Sequence, residues 1–306
     1  MRRYFKSENG YVESESWQPQ CWINIESPDE EDFIYLSEEL GVPESFLESA
    51  ADEEERPRFD HEDGWLLTII RIPYFDSKTE EKYSTLTFAV ITKDELVISI
   101  CRERSEMLHL FIERTRKRHI IDINKADFLL HIIYTSTSWY LKYLKEIDNT
   151  VSASIIELKH SVKNEDLYAM MQLQKSLVYF NTALRGNETL VQRIDKVFQD
   201  ACDDELLDDV KIELQQALNT VDVSIEILDT TMDMLASVIS NNVNEIMKKM
   251  TSVSIILMLP TLIASFYGMN VAVAFGDSAI AFWCIIGASI ALSLFIFWRL
   301  KRANWM

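Results

Sequence analysis

The chain has 306 residues and a formal charge of −19, from 30 Lys and Arg against 49 Asp and Glu. An acid excess of that size repels phosphate backbones, so no nucleic-acid partner is expected; it attracts cations and keeps a large aqueous part soluble. Cys21, Cys101, Cys202 and Cys284 form no C-x-x-C pair and the histidines show no metal spacing. Neither a nucleophile elbow nor a glycine-rich phosphate loop occurs, so neither an enzyme nor a nucleotide-binding protein is expected.

Residues 251–306 carry three basic side chains and one acid, so the part before them carries −21. Met1 to Glu15 is polar and lacks the apolar core of a signal peptide. Pro19, Pro28, Pro43, Pro57 and Pro73 crowd the first quarter, with Gly10, Gly41 and Gly64. That quarter reads as mixed α/β. Cys21–Ile25 reads as a strand. Ser27-Pro28-Asp29-Glu30-Glu31 reads as a helix start, with Ser27 as cap and Pro28 in first position, the helix ending near Gly41. Trp65–Ile72, Ser84–Ile91 and Leu96–Cys101 read as strands, with Asp76–Lys82 a hairpin loop. A sheet with helices against it is the expected architecture.

From Ser105 onward the pattern is helical. No proline occurs from Tyr74 to Leu259, and Gly186 is the only glycine between Trp65 and Tyr267. Breaker-free sequence of this kind predicts long helices. One runs from Asp127 to about His160. A break follows near Ser161–Asp166, where Asn164 can cap the next helix, and Gly186 is expected to kink or interrupt that helix. Asp200–Asp204 reads as a turn. The last long helix then runs from about Asp203 to Tyr267. Leu218, Val221, Ile225, Leu228, Met232, Leu235 and Ile239 recur in steps of 3 and 4, the repeat of a coiled-coil seam, and self-association around an axis is expected.

No charge occurs from Met250 to Gly276 or from Ser278 to Trp298. Each stretch spans the ~30 Å hydrocarbon layer as a helix. Lys248 and Lys249 precede the first span, and Arg299, Lys301 and Arg302 follow the second. The loop between them, 270–278, carries only Asp277. Basic residues collect on the cytoplasmic side, which places both termini in the cytoplasm. The expected divisions are a cytoplasmic α/β domain over 1–125 and paired long helices over 126–202. A stalk helix over 203–269 continues into the first span. An external loop over 270–278, a second span over 279–298 and a basic tail over 299–306 complete the chain.

The first span carries a second periodic line: Asn244, Met247, Thr251, Ser254, Met258, Thr261, Ser265 and Gly268, in steps of 3 and 4. Every member is small, polar or Met. Polar residues in a bilayer face a bundle interior or water. Small and hydroxyl residues also permit close helix packing, so both uses of the line stay open. Symmetric copies around an axis would bring eight such positions per chain to a common path. A path with no carboxylate or imidazole suits a cation that keeps its water, and Mg²⁺ sheds water reluctantly.

Asn244-Glu245-Ile246-Met247-Lys248, Met258-Leu259-Pro260-Thr261, Tyr267-Gly268-Met269-Asn270 and Lys175–Phe180 carry a resemblance. By these segments the chain resembles the CorA family of divalent-cation channels over most of its length. The resemblance implies a funnel-shaped homopentamer in the plasma (inner) membrane, with an α/β cytoplasmic domain, a long-helix stalk and an all-α membrane part. It implies that Gly268, Met269 and Asn270 form the selectivity filter, with Asn270 as a ring for hydrated Mg²⁺. Transport would be passive, and Co²⁺ or Ni²⁺ are further cargoes; a Zn²⁺ carrier and a non-conducting scaffold are the alternatives. Asp203, Asp204, Asp208 and Asp209 crowd the start of the stalk. Regulatory Mg²⁺ bridging them to Asp76 across subunits would hold the pore shut. Equally, acids at a helix start are a solvated face favoured by the helix dipole. Two departures stand out: the loop Val271–Asp277 is poor in acid, and Pro260 sits one place later than in some relatives.

Overall fold

The computed structural model describes residues 2–7, 10–18, 21–117, 124–158, 164–198, 202–269, 279–303 and 305. It divides into two compact units, Met1–Thr231 and Met232–Met306.

The first unit is built on a sheet of seven strands: β1 (Arg2–Ser7), β2 (Tyr11–Ser14), β3 (Trp22–Glu26), β4 (Arg58–Glu62), β5 (Trp65–Phe75), β6 (Tyr83–Lys93) and β7 (Leu96–Cys101). Their order is β2-β1-β3-β7-β6-β5-β4. All pairs are antiparallel except β3 with β7. All five residues of β3 are buried, as expected of a strand covered on both faces. The strands expected near 21–25, 65–72, 84–91 and 96–101 are present, and Asp76 N–H donates to Lys82 O (2.9 Å) to close the hairpin loop. The sequence reading missed β1, β2 and β4. β4 is an edge strand, RFDHE, whose last three residues are exposed. It owes its shape to pairing with β5 through a turn in which Asp63 and Gly64 both take positive φ (51° and 80°).

One face of the sheet carries Ile23, Ile25, Leu67, Ile69, Ala89, Ile91, Ile98 and Ile100. Leu36 of the first helical segment packs there, with Val42 and with Phe46, Leu47 and Ala50 of α2 (Glu44–Ala51). α1 (Glu30–Ile34) continues as a π-helical turn, Tyr35–Glu39, and the chain turns at Gly41, with φ +70°. The helix start differs from the expectation. Asp29 is the cap, accepting from Asp32 N–H at 2.9 Å, while Asp32 accepts in return from Asp29 N–H at 3.4 Å. An acid there meets the positive end of the helix as well as its free N–H groups. Ser27 instead turns the chain out of β3 with φ +50°, its N–H donating to Cys101 O at 2.9 Å.

The opposite face is covered by α3 (Glu106–Lys117), α4 (Lys125–Leu158) and α5 (Asn164–Phe198). Trp22 sits among Phe5, Tyr11, Phe111 and Phe128, with ring centroids 4.8–5.8 Å away. Its indole N–H donates to Ser99 Oγ (2.8 Å), which donates to Asn24 Oδ1 (2.8 Å). α5 passes through Gly186 without interruption. A Cβ on Gly186 would stand 2.7 Å from the Pro57 ring. This glycine therefore serves close packing of helix on loop. Its neighbour Asn187, fully buried, accepts from Arg71 N–H (3.0 Å) and donates to Arg71 O (2.7 Å). β4 pairs with β5 only as far as Ile69, so the Asn187 carboxamide takes over where the strand runs out.

α6 spans Asp204–Tyr267. In its first half Leu207, Val210, Leu214, Ala217, Leu218, Val221 and Leu228 are buried within one chain. Hydrogen bonds join this half to α4 through Ser138–Glu213 (3.3 Å). Gln174–Asp229 (2.6 Å), Asn181–Asp222 (2.5 Å) and Arg185–Asp222 (3.0 Å) join it to α5. The periodic seam is thus real, but α4 and α5 of the same chain meet this part of it. The periodicity reports that a face is buried and is silent about the partner.

Candidate functional site

The second unit holds the latter part of α6 and α7 (Ala279–Arg302). Both helices are long and apolar enough to cross a membrane, and only 6% of each apolar stretch is buried within the chain. A core helix of a soluble domain would be mostly buried; these present their apolar surface outward, as lipid-facing helices do.

α7 meets α6 on one side. Ser252 is fully buried, its hydroxyl donating to Trp305 O (3.4 Å), and Ile256, Leu259 and Ile263 are half-buried. The Ser293 hydroxyl of α7 donates to Ile256 O (3.4 Å). At 3.6 residues per turn, the line from Asn244 to Gly268 lies roughly 180° around the helix from that contact. All eight of its members are exposed in the single chain, with Met247 at 60% and Met258 at 68%. The other exposed positions of this stretch include Val253, Leu257, Leu262 and Phe266, all large and apolar.

Two hydroxyls of the line have fixed orientations. Ser254 donates to Met250 O (3.0 Å) and Thr261 donates to Leu257 O (2.8 Å). With their protons committed to the backbone, both oxygens present lone pairs outward and act as acceptors. At the start of this unit Asn244, Met247 and Thr251 line a groove of about 620 Å³ with Asn241, Glu245, Lys248 and Trp305. Trp305 and Asn241 were not singled out from sequence. At the far end Gly268 N–H closes the last turn on Ala264 O (3.0 Å) and Ser265 O (3.2 Å), and Met269 is exposed. Asn270 and the loop 271–278, Asp277 included, lie outside the described residues.

Of the acids singled out from sequence, Asp203 and Asp76 have local partners in the first unit. Asp203 caps α6, accepting from Glu205 N–H (2.9 Å) and Leu206 N–H (3.3 Å). Its own N–H donates to Asp127 Oδ1 (3.1 Å). Burial, and then the charge of Asp203, push the Asp127 carboxyl above its ordinary range, against the hydrogen bond from the Asp203 backbone. Asp204, Asp208 and Asp209 are exposed. Asp76 accepts from Lys78 N–H (2.9 Å) in the β5–β6 loop. Among the described residues of one chain, no three His, Cys, Asp or Glu converge on a metal position.

A sequence model of the family described as CorA-like Mg2+ transporter protein matches residues 17–302. The cobalt/magnesium transport protein CorA of Methanocaldococcus jannaschii is 24% identical over 292 residues, covering 93% of this chain and 91% of that protein. The protein of the same name from Thermotoga maritima is 25% identical over 255 residues, 81% of this chain and 72% of its own length. The fold is similar to the complete structure of the CorA magnesium transporter from M. jannaschii, with a TM-score of 0.82 over 100% of this chain and 99% of that one at 21% identity. An α/β unit, a long helix and two apolar C-terminal helices agree with that likeness in the same chain order, and the chain belongs to the CorA-like Mg2+ transporter family.

Proposed function

We propose that the chain forms a passive Mg²⁺ channel. Identical copies, five by the family resemblance, stand around an axis in the plasma membrane with both termini in the cytoplasm. The eight-residue line of α6 faces that axis. The observation that carries this reading is the position of the line: it is uncharged, continuous, exposed, and on the side of α6 away from α7. Two helices of one chain cannot enclose a path, so the line needs copies of itself.

The water around Mg²⁺ points its hydrogens outward. Ser254 and Thr261, held as acceptors, receive those hydrogens without displacing the shell. Asn270 supplies carboxamide oxygens at the outer end, and Met247 and Met258 make apolar collars that close by dewetting. Entry is downhill: a divalent cation gains ~4.6 kcal/mol from 100 mV, inside negative. Co²⁺ is the second cargo, supported by the relatives named cobalt/magnesium transport proteins.

The test is uptake into proteoliposomes with an imposed potential. Mg²⁺ and Co²⁺ are expected to enter, hexaammine cobalt, which imitates a hydrated ion, to block, and Asn270→Ala to abolish the preference for Mg²⁺. Flux that ignores both the blocker and the substitution defeats the proposal.

Closure by internal Mg²⁺ is assigned to the exposed acids at the start of α6, acting between subunits together with Asp76. Asp208→Asn combined with Asp209→Asn is expected to leave uptake open at millimolar internal Mg²⁺. Inhibition unchanged from the parent protein removes these two residues from the regulation.

A further inference from the structure

Pro260 lies inside α6. A proline ring has no N–H, so the carbonyl four residues earlier, that of Ile256, loses its helical donor. In hydrocarbon such an oxygen has no water to turn to, and a proline within a span is accommodated where a neighbouring side chain re-satisfies it. The Ser293 hydroxyl of α7 reaches this oxygen, at 3.4 Å. Ser293 sits in the middle of the α7 row formed by Ile285, Ser289, Ser293, Ile296 and Leu300, the buried or half-buried positions among the described residues of that helix. At the basic, inner end the Ser252 hydroxyl donates to Trp305 O, just beyond the end of α7.

We propose that Ser293 is a positioning residue of the ion pathway. Its hydroxyl fills the vacancy that Pro260 opens and pins α7 to α6 at that turn. Met258 and Thr261 flank Pro260 on the opposite side of the same turn. The bond therefore sets how far their side chains stand from the axis. This assignment rests on the pathway reading above and adds a role for α7, which that reading leaves as lipid-facing support.

A double-mutant cycle tests it, because the vacancy exists only while residue 260 is proline. Full-length wild-type protein, Ser293→Ala, Pro260→Ala, the double variant and Ser293→Thr are compared by Mg²⁺ uptake into proteoliposomes and by unfolding midpoint in detergent. Ser293→Ala is expected to lower the midpoint and to change the uptake rate about three- to tenfold, the factor that corresponds to the free energy of a hydrogen bond between membrane helices. Ser293→Thr keeps a hydroxyl and is expected to restore both. In the Pro260→Ala background the new N–H serves Ile256, so Ser293→Ala is expected to change the uptake rate by less than about twofold and to leave the midpoint nearly unmoved. Equal effects of Ser293→Ala in both backgrounds, or no effect beside Pro260, overturn the assignment. A non-additive midpoint with non-additive uptake supports it; a non-additive midpoint with additive uptake overturns the positioning role and leaves only the bond. Wild-type protein that passes no Mg²⁺ sinks the pathway reading itself, which is a separate failure.

Discussion

Cysteines introduced at Thr261 and Ser265 are expected to react with a charged, membrane-impermeant thiol reagent about tenfold faster than cysteines at Ile256 and Ile263, because only the thiolate reacts and thiolate forms only where water reaches. Ile256 and Ile263 are half-buried on the α7 side; Thr261 and Ser265 are exposed on the other. The native background needs Cys202 and Cys284 replaced, since one is half-buried and the other exposed, whereas Cys21 and Cys101 are buried. Burial pushes the Cys101 thiol up to about 12, which keeps it unreactive at neutral pH. The comparison is made in proteoliposomes by mass spectrometry at fixed times. Equal rates at the four positions would mean that the polar line faces lipid or a dry helix contact, and that no aqueous path follows it. The small-residue packing alternative makes that opposite forecast, so the experiment separates the two.

Asn187→Leu is expected to destabilise the first unit by roughly 2–4 kcal/mol, since it orphans a buried N–H and removes one of the donors to a buried carbonyl, each group costing about 1–3 kcal/mol. Tyr140 O–H still reaches Arg71 O (3.1 Å), which keeps the loss below the sum of two full penalties. For a unit of this size that is a fall of roughly 5–15 °C in the unfolding midpoint. Asn181→Ala on the same helix is the control. Asn181 is half-buried, but its bond to Asp222 is exposed to solvent, where polar contacts are worth about 1 kcal/mol or less. Differential scanning fluorimetry of the full-length protein in detergent reads both. Matching midpoints for the two variants would show that the carboxamide does not replace the missing strand.

Gly186 and Asn187 also mark where sequence reading stops. A glycine within a helical pattern signals weakness, and on propensity alone an interruption was the right expectation. The ring of Pro57, 129 positions earlier, decides otherwise: it packs so closely on α5 that only a residue without a Cβ fits there. The edge strand β4 has the same character. Its residues Arg58–Glu62 show no apolar alternation, and partner hydrogen bonds alone make them a strand. Likewise Asp29 displaced Ser27 as the helix cap because the reciprocal Asp29–Asp32 bonds satisfy two free N–H groups at once.

By itself the sequence determined every feature that rests on periodicity or on long uniform runs. These are the central strands, the long helices, with the last of them ending near Tyr267, the two membrane-length stretches, and the polar line from Asn244 to Gly268; the helix end expected near His160 lies outside the described residues. Such features need only the alternation of apolar and polar side chains, which one chain displays in full. Tertiary structure alone decided which surface each periodic face meets. It gave the first half of the α6 seam to α4 and α5, turned the polar line away from α7, and brought the Ser293 hydroxyl to the oxygen that Pro260 leaves open. Partners of that kind lie tens to more than a hundred residues apart, and no local pattern encodes which of several apolar or hydroxyl-bearing faces will meet.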